Sequence, residues 1–212
     1  MPYVAPGTVA AGDVYTAAAH NIQVNNVINH ETRITASGLS IVTPTSVSGS
    51  GITLSGSKII FTAAASGVFI NGAFTSTYDN YLVLANFTGN AAVTSVTMQF
   101  AVAGVASTTN YATQRLYSVS TTISSLANEN GTDEVFFAYL SDATSYSSTR
   151  MEIFSPALTQ GTTMISTVTY ASSPVVSTVS AVHTTATSYD GLKIIHSGAL
   201  TGTMRIYGYT NV

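Results

Sequence analysis

From Gly38 to the end of the chain, short runs of β-branched and aromatic residues follow one another, each closed by Gly, Ser, Asn or Pro. Such punctuation leaves no room for helices of ordinary length and demands a fold made of strands. Leu39–Val42, Ile52–Leu54 and Lys58–Thr62 are the first runs, and Ser46–Gly51 between them reads as a broad turn. Tyr81–Ala85 is continuously apolar, the pattern of a fully buried strand. Val96, Met98, Phe100 and Val102 alternate with Thr97, Gln99 and Ala101, as a strand with one buried face does. Val135–Leu140, Met151–Phe154, Met164–Tyr170, Val179–Thr184, Leu192–His196 and Met204–Tyr209 bring the set to about ten strands. With no helices between them, the strands pair antiparallel, so the expected fold class is all-β, an antiparallel β-sandwich or jelly roll. The polar stretches Ser120–Thr132 and Ala143–Thr149 are expected as exposed loops at its ends.

Before Gly38 the pattern changes. Asp13 or Thr16 can cap a helix, and the run from Ala17 to Ile28 holds no Gly or Pro. Val14, Ala17, Asn21, Val24 and Ile28 follow a helical spacing and form one seam. The seam serves equally as the strip of a short coiled coil, where Asn21 would fix register and strand number, or as the face of a helix packed on its own domain. The expected organisation is an N-terminal arm and one short helix over residues 1–37, used for assembly, and a sandwich domain over residues 38–212.

Charge narrows the function. Only 7% of residues are charged although 45% are hydrophobic, against a charged share of about 25% in ordinary soluble domains. Ser, Thr, Asn, Gly and Ala take the place of charge, which removes the repulsion that keeps free proteins apart and suits a permanent assembly. The net charge is −3 and no Lys/Arg cluster exists, so binding to nucleic acid has no electrostatic source. The absence of cysteine excludes disulfides, thiolate metal sites and a Cys nucleophile. The start Met1–Gly7 does not read as a signal peptide, and no apolar run reaches the ~18 residues of a membrane span. Synthesis and assembly in a cytoplasm are expected, with no membrane insertion. The sequons at Asn86 and Asn130 are read as coincidence in a chain rich in Asn and Thr.

The supply of catalytic residue types is poor. His20 and His30 do not share a helix face, and His183 and His196 fall in strands flanked by Thr and Ser, where hydrogen-bonded structural histidines are expected. No nucleophile elbow, phosphate-binding loop or zinc-protease motif occurs. Asp133, Glu134 and Asp142 raise the question of a two-carboxylate glycosidase, but adjacent residues of an extended chain point to opposite faces. No catalytic, cofactor-binding or metal-ligating residue is assigned, no cofactor is expected, and the chain is not expected to be an enzyme. Twelve tyrosines with Asn and Asp in loops do supply the flat apolar faces and polar edges that hold sugars.

Two stretches carry a family resemblance. Gly12-Asp13-Val14-Tyr15-Thr16-Ala17-Ala18-Ala19-His20-Asn21 resembles the N-terminal entry of phage minor tail and appendage proteins. Phe74-Thr75-Ser76-Thr77-Tyr78-Asp79-Asn80-Tyr81-Leu82-Val83 resembles the stretch that opens a β domain of phage fibre and virion-surface proteins, with Thr75 where Ser is usual. The resemblance implies a structural protein on the surface of a bacteriophage virion, made in the host bacterial cytoplasm. It would be a capsid decoration (cement) protein or a small tail appendage, a homotrimer whose partners are itself and the major capsid or tail proteins. The lack of a repetitive shaft favours these roles over a long fibre. The alternative is a carbohydrate-binding, receptor-recognition module of a tail fibre, directed at host surface glycans. The resemblance transfers no catalytic residue. Read as chemistry, Ser76, Thr77, Tyr78, Asp79, Asn80 and Tyr81 form a structural turn, the polar side chains bonding nearby backbone and the two tyrosines clamping the turn onto the sandwich.

Overall fold

Alternation along each strand sorts its residues into two faces. In Thr162–Tyr170 it runs unbroken, with Thr162, Met164, Ser166, Val168 and Tyr170 buried and Thr163, Ile165, Thr167 and Thr169 exposed. The computed structural model describes residue 21 and residues 38–89, 95–119, 122–132, 134–140, 146–170 and 175–210. Among them, two antiparallel sheets pack face to face as a β-sandwich, the fold class that the strand pattern predicts.

The larger sheet has ten strands: β1 (Leu39–Val42), β3 (Ile52–Ser55), β4 (Lys58–Ala64), β6 (Asn80–Gly89), β9 (Tyr111–Val119), β10 (Thr122–Thr132), β12 (Ser147–Phe154), β13 (Thr162–Tyr170), β14 (Val175–His183) and β16 (Leu200–Tyr209). Their order is β10-β9-β14-β13-β12-β6-β16-β4-β3, with β1 beside the C-terminal half of β16. The smaller sheet holds β2 (Ser46–Ser48), β5 (Val68–Asn71), β7 (Ser95–Val102), β8 (Val105–Ala106), β11 (Val135–Tyr139) and β15 (Gly191–His196), in the order β11-β7-β15-β5-β2 with β8 hairpinned onto β7. The core lies between them. Tyr81, Val83 and Phe87 of β6 and Met151 and Ile153 of β12 pack in one cluster with Met98 and Phe100 of β7, Phe137 of β11 and Ile194 of β15. Phe87 meets Phe61 edge-on at 5.1 Å and Phe137 at 6.0 Å, joining the layers through aromatic contacts.

Several expectations are corrected. Of the loop expected over Ser120–Thr132, the described part, Thr122–Thr132, is instead β10, the outermost strand of the large sheet, paired with β9 from Thr122↔Val119 onward. Its Ser- and Asn-rich sequence lacks an apolar face, so a strong partner strand, not its own pattern, holds it extended. Ser147–Thr149, expected within a loop, opens β12, with Ser147 and Thr149 buried and Thr149 Oγ1 donating to the Phe137 carbonyl at 2.7 Å. The turn expected over Ser46–Gly51 is confined to its second half, since Ser46–Ser48 pairs with β5. Tyr81–Ala85 is not buried on both faces, because Leu84 is exposed. Val102 leaves the buried set of β7, because the strand ends there in a tight hairpin in which Ala103 and Gly104 both have positive φ. The Asp190 carboxylate accepts from the Ala103 N–H at 3.1 and 3.2 Å, which holds an alanine where Asn or Gly is the common choice.

Of the helix seam, only Asn21 is among the described residues, helical in conformation and exposed. Val14, Ala17, Val24 and Ile28, the arm over residues 1–37 to which they belong, His20, His30, Asp133 and Asp142 lie outside the described residues.

Candidate functional site

The Phe74–Tyr81 stretch enters the large sheet at β6, and its chemistry is internal. The Tyr81 hydroxyl accepts the Thr75 N–H at 2.7 Å and donates to the Thr75 carbonyl at 2.8 Å, while Thr75 Oγ1 accepts the Thr77 N–H at 3.3 Å. Phe74 and Tyr78 meet the Tyr81 ring edge-on at 4.9 and 6.0 Å. The Asp79 carbonyl and Asn80 Oδ1 both accept the Ser155 N–H, at 2.8 and 3.3 Å, tying the turn to the end of β12. Tyr78 lies flat over Gly208 of β16, where any Cβ would collide with its ring. Burial pushes the Tyr81 phenol above its ordinary range, consistent with a hydroxyl committed to the backbone. Ser76 and Thr77 are exposed at the tip.

His183 and Ser107 have the spacing of a base and a nucleophile, with Nε2 3.0 Å from Oγ. The pair is sealed: His183 has no exposed surface, and the rings of Tyr111, Tyr189 and Phe100 surround it at 4.2, 5.3 and 5.9 Å. The position of an orienting carboxylate is taken by the Tyr189 hydroxyl, 3.3 Å from Nδ1. Burial lowers the His183 pKa, so the ring is neutral and one nitrogen accepts while the other donates. His196 differs from the hydrogen-bonded role expected of it. It is buried, neither ring nitrogen reaches a partner in hydrogen-bonding geometry, and desolvation lowers its pKa, weakly opposed by the backbone of Ser197 and Ala65. Glu134, just before β11, is half-buried. Among the described residues no three His, Cys, Asp or Glu side chains converge on a metal-sized space.

The outward face of the large sheet is the notable surface, and it divides into two regions. On β10, β9, β14 and β13 the outward face carries apolar side chains, and polar ones enter the inward face. Ile123, Leu116, Val176 and Ile165 point outward and are 73%, 56%, 49% and 51% exposed, while Ser177 and Ser166 are buried and Arg115 turns inward. Arg115 is half-buried over the Phe136 ring at 3.9 Å and the Tyr117 ring at 4.6 Å, and it donates to Ser177 Oγ through two nitrogens at 3.1 and 2.9 Å. The outward residues between the four apolar ones are Ser, Thr, Ala, Val and Gln, and no described outward side chain on these four strands is charged.

On β12, β6 and β16 the same face forms a groove of about 560 Å³. Register builds it in rows. Arg150 stands opposite Leu84 and Leu84 opposite Arg205, while the next row sets Ser148, Asn86 and Thr203 side by side. Asn86 Nδ2 donates to Ser148 Oγ at 3.4 Å. Tyr207 closes one side of the groove, and the groove's lining includes no acidic residue. Arg150 is steered by Glu152, whose Oε1 accepts from Nη2 at 2.9 Å. Two cations, an amide, hydroxyls and a small apolar floor constitute a hydrogen-bonding surface able to hold a polar ligand edge-on and flat. Apart from Asn86, met in the sequence only as a sequon, none of these groove residues stands out there, because strands that are distant along the chain supply them; outward Asn and Arg in otherwise apolar or hydroxyl-rich strands are the signal that was there.

No protein-family model matches the chain, and no curated protein matches it in sequence. Among solved structures it is similar to a protein of unknown function from Shewanella oneidensis MR-1, with 12% identity over 82% of this chain and 80% of that one and a TM-score of 0.27. It is similar to galectin LEC-6 of Caenorhabditis elegans, with 8% identity over 72% and 96% of the two chains and a TM-score of 0.33. A protein of unknown function with a galectin-like fold from Bacillus subtilis is 7% identical over 78% and 88%, at a TM-score of 0.22. Superpositions this loose place no residue of this chain on a residue of theirs.

Proposed function

We propose that the chain is a non-catalytic structural protein of a bacteriophage virion surface, a capsid decoration protein or small tail appendage, that assembles as a homotrimer beside the major capsid or tail proteins. The observation that carries this reading is the apolar outward face of β10, β9, β14 and β13. Ile123, Leu116, Val176 and Ile165 stand in water on a surface where no described outward side chain carries a charge that would keep another protein away. Exposed apolar side chains rimmed by hydroxyls gain free energy when a neighbour covers them, and a sheet face spreads that gain over many residues. The 7% charged composition and the phage-like Gly12–Asn21 and Phe74–Val83 stretches support the setting. Immunogold electron microscopy tests it: antibody raised against the purified chain should label intact particles at head or tail, and label confined to the soluble part of a lysate rejects the reading.

The groove favours a second reading, recognition of a host surface glycan. Asn86, Ser148 and Thr203 in one row offer donors and acceptors at the spacing of adjacent strands, about 5 Å, beside the apolar Leu84 and the Tyr207 ring. Adsorption of the purified protein to host cells, competed by soluble cell-wall polysaccharide, tests this role.

A further inference from the structure

Resting on the glycan reading of the groove, we propose that its ligand is an acidic saccharide, one whose sugar carboxylate is held by Arg205 with Arg150 beside it. Cations are scarce in this protein, with six Lys and Arg in 212 residues. Two of them line one groove, in register on either side of Leu84 and roughly 10 Å apart at the backbone, two strand spacings. A chain of net charge −3 thus presents a locally cationic groove with no acidic residue in its lining.

The two arginines differ in a way that suggests a division of labour. Arg150 is already engaged by Glu152 at 2.9 Å, which fixes its direction along the strand and neutralises part of its charge. Arg205 is exposed, and it has no hydrogen-bond or ion-pair partner among the described residues. A free, planar guanidinium with parallel N–H donors matches a carboxylate in bidentate fashion and matches a hydroxyl less well. The next row completes recognition of a sugar in preference to a bare anion. Asn86, Ser148 and Thr203 can exchange hydrogen bonds with ring hydroxyls, and Leu84 gives the ring an apolar surface to lie on. The groove's volume, about 560 Å³, falls in the range of about 300–1,000 Å³ typical of small-ligand sites.

The test is an array of uronic-acid and sialic-acid oligosaccharides in which each acidic member is printed beside its carboxyl-reduced, neutral counterpart. The full-length protein should bind at least one acidic member, with affinity for the reduced counterpart lower by about tenfold or more, the loss expected when a charge-assisted bidentate contact is removed. Arg205→Gln should abolish that preference without lowering the melting temperature, and Arg205→Lys should restore it only in part, because an ammonium lacks the fork. Equal binding of acidic and reduced members overturns the carboxylate inference and leaves the glycan reading standing. Binding to neither overturns both. A preference that survives in Arg205→Gln overturns the assignment to Arg205.

Discussion

The Tyr81 hydroxyl takes the Thr75 N–H and returns its own proton to the Thr75 carbonyl, so a single side chain satisfies both backbone groups of a residue six positions earlier. The Tyr111 hydroxyl of β9, in the same sheet, bridges two backbone groups in a similar way, accepting from the Phe100 N–H at 2.7 Å and donating to the Ser107 carbonyl at 3.1 Å. A loop that must turn beneath buried aromatic rings cannot leave its polar backbone unpaired, and these tyrosines supply the partner from inside the sandwich. Tyr81→Phe should therefore cost roughly 1–3 kcal/mol by leaving the Thr75 N–H without its partner and the Thr75 carbonyl with only the longer bond from the Tyr78 N–H at 3.5 Å. Tyr81→Ala should cost roughly 3–5 kcal/mol, because the fully buried ring goes as well. Urea unfolding of the two variants measures both; a Phe variant as stable as wild type would mean that water replaces the hydroxyl.

Acid should destabilise the fold through its two buried histidines. His183 and His196 both have pKa values lowered from the ordinary 6.5 by burial, so the unfolded chain takes up protons before the folded one does. Their contribution is intact above about pH 6.5 and is lost as pH falls from there through the lowered folded values. Melting temperatures measured between pH 8 and pH 5 should stay level and then drop below about 6.5. His183→Gln should flatten that drop while lowering stability at neutral pH, because a glutamine does not reproduce the bonds to Ser107 and Tyr189 together with the edge-on ring contact to Tyr111.

Arg115 offers a separate check on this half of the sheet. Its guanidinium lies over Phe136 and Tyr117 and bonds Ser177, so it works as a flat packing group as much as a charge. Arg115→Lys should destabilise by about 1 kcal/mol or more, since a lysine keeps the charge but loses the planar stack and the paired donors. A lysine variant that melts with wild type would reduce the cluster to ordinary packing.

What could be read from the sequence was local. β13 shows its alternation in a single run of residues, and the bonds between Thr75 and Tyr81 lie within eight consecutive positions, so both can be seen without a partner strand; burial of Gln99 and Ala101 on the second face of β7, and the bonds of Asp79 and Asn80 to Ser155, cannot. β9 and β10 could not, because Leu116 and Ile123 point outward while Arg115 and Ser124 point inward, against the rule by which strands are recognised. The groove was hidden for a different reason. Arg150, Leu84 and Arg205 become neighbours only through the register of β12 on β6 and of β6 on β16, and nothing local fixes which strands meet.

The assembly reading makes the sharpest demand on Val176 and Ile165. Both side chains are about half exposed in the isolated chain, so exchanging either for Glu removes little buried surface and should leave the melting temperature within about a degree or two of wild type. Once the face is covered by a neighbouring subunit, the same carboxylate is stripped of water with no described outward-facing cation on β10, β9, β14 or β13 to meet it, since Arg115 of β9 turns inward, and an unpaired buried charge costs several kcal/mol. Val176→Glu and Ile165→Glu should thus lose particle incorporation by about a hundredfold or more, while Thr178→Ala on the same face, which removes no apolar contact and adds no charge, should incorporate normally. Quantitative blotting of purified particles against the soluble fraction measures all three. Glutamate variants that fold and incorporate as wild type would show that this face stays in water, and would place the protein's contacts elsewhere.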